Sequence, residues 1–308
     1  MLNGKITHTI ESLVSNKNEL IDSNKAYNMN IPEILLTRDS AEFDRWDPQL
    51  GWWAMDAIMR LEAKVSTGDD KEFELPEGTK LIKLFEDRGF GYGDSDKFLM
   101  LLSVASNPDM LVIICRGTNS RTEWLEDMEY ALSPVELLGT AGNDYYEDVM
   151  VHDGFLKMYL SMRDGLLEEV NNFSDKPFNV FITGHSSGAA ISAIISADLE
   201  RNSPKVRKVL AYLFGCPRPG NIVFRKYIES KDRIAIHRIT NTSDIIPEFP
   251  LSIAPNVHDP ENPFPYNHVG ILHAFSSNRH SFNANHFLST YADWLQKETE
   301  KLDTSISR

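Results

Sequence analysis

The chain has 308 residues, enough for one large domain or two ordinary ones. Its 31 basic and 45 acidic residues give a formal net charge of −14, and the lack of a basic stripe argues against a nucleic-acid-binding protein. No apolar run reaches the roughly 18 residues of a membrane-spanning helix, and the first residues lack the features of a secretory signal. We therefore expect a cytoplasmic protein without a transmembrane segment.

Residues 1–75 are expected to form a helical N-terminal portion. Apolar residues recur at helical spacing in 9–20 and 47–64, and Asp47-Pro48 is a favourable helix start. Residues 66–80 are polar and rich in turn-forming residues, which predicts a loop.

From residue 98 onward, apolar runs alternate with helical patterns. Residues 98–105 and 110–115, separated by Ser106-Asn107-Pro108-Asp109, predict a hairpin. Further strands are predicted at 178–183, 209–214 and 234–239, and helices at 153–172, 187–202, 219–230 and 284–299. Such alternation predicts an α/β protein with a mostly parallel mixed sheet and helices on both faces. We expect one domain over 1–308, with its core in 76–300.

A candidate nucleophile, Ser186, lies in the pentapeptide Gly184-His185-Ser186-Ser187-Gly188. A tight turn between strand and helix projects such a serine clear of the sheet. The flanking glycines have no Cβ atoms, which would otherwise collide with the strand or the helix. About one chain in ten of this length contains the pattern by chance. The preceding apolar run and the following small-residue helix make the catalytic interpretation much stronger than a helix-capping serine.

A serine nucleophile needs a general base and an orienting carboxylate, and in this type of fold the carboxylate and then the histidine follow the serine in the chain. Asp244 follows the strand predicted at 234–239, at the sheet edge where functional groups collect. Position alone leaves several candidates for the base. They are His258, His268, His273, His280 and His286.

Two groups are candidates for oxyanion donors. Thr118 follows the strand that ends near Cys115, and the backbone amide of Ser187 begins the helix after the nucleophile. Thr118 also suits a helix N-cap, and the two roles are compatible.

Cys115 and Cys216 lie in apolar runs without metal-ligand spacing, which predicts two buried reduced thiols.

Six motifs, in order, resemble the class 3 lipases, the fungal-lipase-like family of the α/β-hydrolases. They are VIICRGTNS (112–120), VHDGFLKMY (151–159), VFITGHSSGAA (180–190), LFGCPRPGN (213–221), RITNTSDIIPEFP (238–250) and NHFLSTYADWL (285–295). The resemblance implies a triad of Ser186, Asp244 and His286, with Thr118 as an oxyanion donor. It also implies a lid near 119–130 whose apolar face carries Trp124, Leu125 and Met128.

The function implied by this resemblance is a serine esterase or lipase that cleaves carboxylic esters of lipids, either acylglycerols or phospholipids. The chemistry requires no metal and no organic cofactor. We expect a lipid or small ester as substrate, transient contact with a lipid interface and no nucleic-acid partner. Ser187 and Ala189 replace residues common in the family, which makes the acyl pocket more polar and tighter. An esterase for soluble acyl or aromatic esters, or a catalytically idle lipase-like interaction protein, are the alternatives.

Overall fold

The computed structural model describes residues 29–37, 43–67, 74–86, 97–117, 131–138, 149–256 and 258–306. The helix predicted over 9–20 lies outside these residues. Within them, no helix is long and apolar enough to cross a bilayer.

The central sheet contains seven strands among the described residues, in the order β1-β2-β3-β6-β7-β8-β11. Their bounds are β1 Thr79–Glu86, β2 Lys97–Val104, β3 Asn107–Cys115, β6 Phe178–His185, β7 Val206–Phe214, β8 Ile234–Asn241 and β11 Ile271–Phe275. The pairs from β1 to β3 are antiparallel, whereas β3, β6, β7, β8 and β11 run parallel. The predicted mixed, mostly parallel sheet is therefore confirmed.

Within the described ranges, two short ribbons lie outside this sheet. They pair β4 (Leu132–Pro134) with β5 (Met150–His152), and β9 (Ile253–Ala254) with β10 (Phe264–Pro265). β5 is also bridged to Gly220, which attaches its ribbon to the segment after β7.

Helices cover the sheet on both faces. The described helices are α1 Glu33–Leu36, α2 Pro48–Thr67, α3 Asp153–Asn172, α4 Ser187–Asn202, α5 Ile222–Glu229, α6 Phe282–His286 and α7 Leu288–Ile306. One core joins α3, α4 and α5 to Val180 and Ile182 of β6, and the other joins α2 and α7 to Phe181. Because successive side chains of a strand point to opposite faces, a strand covered on both sides is apolar throughout. Every residue of β6 is buried.

The structure corrects three boundaries predicted from the sequence. The last predicted helix is two helices, because Phe287 adopts an extended conformation (φ −63°, ψ 146°) between α6 and α7. Strand β3 already begins at Asn107, so the predicted four-residue turn is too long. The predicted loop over 66–80 is also too long, since β1 begins at Thr79.

Two strands of the central sheet, β1 and β11, were not predicted from the sequence, nor were the four short strands of the ribbons. Both lie at the edges of the sheet and are partly exposed, so neither has the continuous apolar run of a central strand. Their pairing partners, β2 and β8, decide where they form.

Candidate active site

Ser186 lies in a turn whose backbone is strained. It joins β6 to α4 with φ 58° and ψ −129°, a left-handed conformation that side chains other than glycine rarely adopt. Such a conformation costs on the order of 1–3 kcal/mol and persists only where neighbouring contacts impose it. One contact is the hydrogen bond from the Ser186 N–H to the Phe214 carbonyl at the end of β7, 3.0 Å long.

The two glycines of the pentapeptide allow the helix to pack against the sheet at this turn. A Cβ on Gly184 would lie 2.5 Å from the carbonyl carbon of Gly188, and a Cβ on Gly188 would lie 2.8 Å from the Cys115 carbonyl oxygen. Real Cβ atoms do not approach backbone so closely. The G-x-S-x-G spacing therefore follows from contacts that bring α4 onto the end of β3.

Asp244 and His286 form a buried hydrogen-bonded pair. His286 Nδ1 lies 2.6 Å from Asp244 Oδ2, and the relative exposures are 3% and 4%. A carboxylate only accepts, so the proton of the neutral ring is on Nδ1 and the lone pair is on Nε2. His286 Nε2 is buried and has no hydrogen-bond partner among the described residues.

Two further groups orient the Asp244 carboxylate. The Tyr291 hydroxyl donates to Oδ2 over 2.6 Å, and the Ile246 N–H donates to Oδ1 over 2.9 Å. Burial, and then the negative charge of Asp244, raises the pKa of Tyr291 well above its ordinary value, so this phenol remains a donor. The carboxylate is thus held at both oxygens.

The His286 ring lies next to the turn that carries Ser186. A Cβ on Gly215 would lie 2.9 Å from His286 Cε1, and Gly215 directly follows Phe214, whose carbonyl accepts from the Ser186 N–H. The His185 ring lies 4.4 Å from the His286 ring, centroid to centroid. His185 Nε2–H also donates to the His286 carbonyl oxygen over 2.9 Å. These contacts place the base candidate beside the nucleophile candidate.

The other four histidine candidates lie elsewhere. His258 and His280 are exposed, and His273 Nε2 faces His237 Nδ1 at 2.9 Å. His268 is half-buried, and burial together with the positive charges of three arginines lowers its pKa. Among the described residues, His286 is thus the candidate that reaches Asp244.

The oxyanion and lid predictions are only partly within the described residues. Ser187 is buried at the first position of α4, where the positive end of the helix dipole favours negative charge. β3 reaches the same point, because a Cβ on Gly117 would lie 3.2 Å from Ser186 Cβ. Thr118 and the lid residues Trp124, Leu125 and Met128 lie outside the described residues, so their roles stay predictions.

An asparagine pair that sequence reasoning missed connects the loops of Asp244 and His286. Asn241 Nδ2 donates to the Asn285 carbonyl over 3.0 Å, and Asn285 Nδ2 donates to the Ser243 carbonyl over 2.8 Å. Tyr291 and His185, which also contact this site, were not predicted as site residues. The available signal was sequence proximity, since Asn285 precedes His286 directly and Asn241 lies three residues before Asp244.

Residues 112–253 match the family described as Lipase (class 3). This segment, a little under half of the chain, is similar to the class 3 lipases. The match covers the nucleophile turn and Asp244 but ends before His286. Cys115 and Cys216 are buried free thiols, as the sequence predicted, and burial raises the pKa of each to about 12.

Curated relatives of the chain include plant proteins named phospholipase A1. The chain is 36% identical over 156 residues to phospholipase A(1) DAD1 of Arabidopsis thaliana, which covers 47% of this chain and 35% of that protein. It is 32% identical over 156 residues to phospholipase A1-II 1 of Oryza sativa subsp. indica, covering 46% of this chain and 39% of that protein. The chain thus spans well under half the length of these relatives.

Solved fungal lipases share the fold of the chain. The triacylglyceride lipase of Rhizomucor miehei superimposes with a TM-score of 0.56 at 22% identity, covering 79% of this chain and 83% of that chain. Lipase II from Rhizopus niveus gives 0.57 at 21% identity, covering 75% and 81%. These similarities confirm the predicted α/β-hydrolase fold.

Proposed function

We propose that this protein hydrolyses carboxylic esters of lipids through an acyl-enzyme on Ser186. The observation that carries the proposal is the 2.6 Å pair of His286 Nδ1 and Asp244 Oδ2 beside the Ser186 turn. It leaves Nε2 of the neutral imidazole with a lone pair and, among the described residues, no partner. A general base for a serine hydroxyl needs this arrangement.

In the proposed mechanism, His286 Nε2 takes the hydroxyl proton as Ser186 Oγ attacks the ester carbonyl carbon. The amide of Ser187 and the predicted donor Thr118 stabilise the oxyanion, which is worth about 10² to 10³ in turnover for each donor. The imidazolium protonates the leaving alcohol, and Asp244 stabilises its charge. Water then attacks the acyl-enzyme with His286 again as the base, which releases the fatty acid.

We further propose a phospholipid as the substrate. The curated relatives at 36% and 32% identity are named phospholipases A1, which supports this class over triacylglycerols. Apolar side chains in the segment after Asp244 support contact with a lipid interface. Ile253, Leu251 and Ile245 are 66%, 49% and 38% exposed.

An active-site probe tests the proposed chemistry. A fluorophosphonate should label the wild-type protein in a single position, and Ser186→Ala should abolish the label without changing the circular dichroism spectrum. No label on the wild type, or equal label on the variant, would contradict the assignment of the nucleophile.

Hydrolysis rates test the substrate class. With p-nitrophenyl esters of increasing chain length and with phosphatidylcholine, activity should rise from acetate toward medium chains and persist on the lipid. Highest activity on acetate, with none on phosphatidylcholine, would point to a soluble-ester hydrolase.

A further inference from the structure

Near the segment that follows Asp244, the charges of three arginines act on one histidine. These residues are Arg218, Arg225, Arg238 and His268, here called the arginine cluster. Arg238 lies on β8, two residues after the core residue Ile236 and on the same face. A Cβ on Gly270 would lie 2.5 Å from Ile236 Cγ2, so the segment that carries His268 lies against β8 where it leads into β11.

Arg218 reaches the cluster from the segment after β7. Asn267, next to His268, donates from its N–H to the Gly220 carbonyl over 2.7 Å, which fixes His268 near the stretch that contains Arg218. The Arg218 guanidinium donates to the Pro250 carbonyl over 2.8 Å and also to that of Glu248. Three segments that follow β7, β8 and β10 therefore meet around Arg238.

The positive charges of the cluster are only partly balanced. Glu248 lies 2.6 Å from Arg218, and Glu229 lies 2.7 Å from Arg225. Arg238 donates to the hydroxyl of Thr240 over 3.2 Å. Within the described part of the chain, no carboxylate forms an ion pair with Arg238, and no group accepts its buried Nε–H.

The lowered pKa of His268 is consistent with an excess of positive charge in the arginine cluster. Burial, followed by the charges of Arg238, Arg218 and Arg225, lowers its pKa to about 3. Its Nδ1 atom is buried and has no partner among the described residues. Cys216 supplies no negative charge, because burial raises the pKa of this thiol to about 12. In a chain of net charge −14, this is a local field of opposite sign.

We propose that the arginine cluster binds a phosphate group, with the guanidinium of Arg238 as the main contact and His268 Nδ1–H as a second donor. A guanidinium presents a planar fork of N–H donors that matches phosphate oxygens, and charge-assisted bonds of this kind are the strong ones. A phosphate carries up to two negative charges, which would neutralise the unbalanced positive charge of the cluster. A buried charge without a partner is costly, so the anion would also stabilise the fold.

The cluster adjoins the candidate active site, and in this respect the proposal rests on the proposed function. Arg238 pairs with Leu213 of β7, the residue before Phe214, whose carbonyl accepts from the Ser186 N–H. A phospholipid whose ester reaches Ser186 would bring its phosphate to the same end of the sheet. Free phosphate has the same chemistry and is the other source that the experiment must distinguish.

A titration tests the site directly. Inorganic phosphate and glycerol 3-phosphate are added to Ser186→Ala protein at constant ionic strength, and heat of binding is measured against chloride. In the Ser186→Ala protein, the second substitution Arg238→Gln should weaken phosphate binding at least tenfold. Arg238→Lys should weaken it less, because the positive charge remains. Arg201→Gln, which removes an exposed arginine from the last turn of α4, should leave the affinity unchanged.

A second measurement needs no variant at Arg238. Phosphate should raise the pKa of His268 in the Ser186→Ala protein, measured from its imidazole resonances, because the bound anion offsets the three guanidinium charges. The proposal fails if phosphate produces no more heat and no larger resonance shift than chloride. It also fails if Arg238→Gln binds phosphate as well as its parent.

The ratio of two hydrolysis rates identifies the source of the phosphate. With Ser186 intact, Arg238→Gln should reduce kcat/KM for phosphatidylcholine at least tenfold relative to diacylglycerol with the same acyl chains. An unchanged ratio with lost phosphate binding supports the site but assigns it to free phosphate. If the proposed hydrolase function is wrong, the probe fails to label Ser186, whereas the titration still decides the phosphate site.

Discussion

Asp244 Oδ2 accepts two hydrogen bonds, one from His286 Nδ1–H and one from the Tyr291 hydroxyl, each 2.6 Å long. The two donors fix the direction in which the carboxylate faces the imidazole, and with it the direction of the lone pair on Nε2. We therefore expect Tyr291 to be a positioning residue for the base.

The variant Tyr291→Phe should lower kcat about tenfold with little change in KM, since one bond to a carboxylate is worth about 1.5–3 kcal/mol and part of the cost falls on stability. Steady-state kinetics on a p-nitrophenyl ester measure the effect. Tyr227→Phe is a matched control, because this buried tyrosine donates to Glu200 over 3.1 Å, remote from the site. Equal kcat values for Tyr291→Phe and the wild type would show that the hydroxyl has no role in turnover.

The choice of base gives a prediction of its own. His286→Ala should abolish hydrolysis, a loss of at least about 10³-fold, while the protein remains folded. Because His280 is exposed, His280→Ala should keep nearly full activity. Rates and circular dichroism spectra of both variants check this prediction. Similar losses in both variants would overturn the assignment of His286.

At the scale of elements, the approach of α4 to β3 depends on Gly188. Gly188→Ala should lower the free energy of unfolding by about 3 kcal/mol, because backbone atoms of Arg116 and Cys115 occupy the position of the new Cβ. Gly165→Ala, in the interior of α3, is the opposite case. Its Cβ would lie 3.4 Å from Phe85 Cε1, an ordinary contact, so it should raise stability by about 0.5–1 kcal/mol. Denaturant unfolding of both variants measures these opposite changes in the free energy of unfolding. A Gly188→Ala protein as stable as the wild type would show that Gly188 is not required for the packing of α4 on β3.

The start of α3 depends on a neutral imidazole. His152 Nδ1 accepts from the Gly154 N–H over 3.1 Å, and burial lowers the pKa of His152 to about 4, against a smaller opposing effect of Asp153. Since the folded-state pKa lies below the ordinary value, the associated stability is present above pH 6.5 and is lost as the pH falls toward 4. Between pH 7 and 5 this loss is about 2 kcal/mol.

The variant His152→Asn keeps an acceptor that caps helices but does not titrate. Its free energy of unfolding should therefore fall less than that of the wild type between pH 7 and pH 5, by roughly 2 kcal/mol. Urea unfolding at the two pH values measures the difference. Parallel losses in the two proteins would exclude His152 as the source.

At the scale of the whole molecule, the net charge of −14 selects among lipid surfaces. An anionic membrane repels such a protein, so hydrolysis should be several-fold faster on zwitterionic vesicles than on vesicles with about one third anionic lipid. The difference should shrink between about 0.01 and 0.5 M salt, as the screening length falls. Initial rates on both vesicle types at each salt concentration test this. A preference for anionic vesicles at low salt would mean that a local basic surface, such as the arginine cluster, outweighs the net charge.

Features that depend on neighbouring residues could be predicted from the amino-acid sequence. Alternating apolar runs and helical patterns gave the α/β fold, and the spacing of Gly184, Ser186 and Gly188 gave the nucleophile turn. Asp244 was predicted because it follows a strand at the edge where parallel strands end. These signals are local, since strand period, helix period and glycine conformation are fixed within a few residues.

Which functional groups lie in contact could be known only from the packing of the folded chain. The residues alone left five histidines open, and the pairing of His286 with Asp244 joins residues 42 apart. Tyr291 donates across 47 residues, and the arginine cluster draws on three separate segments. A side chain in a helix or loop has no pattern that names a distant partner, because packing of whole elements sets that distance. The nucleophile turn was therefore readable from the chain, whereas the partners around Asp244 and Arg238 required the fold.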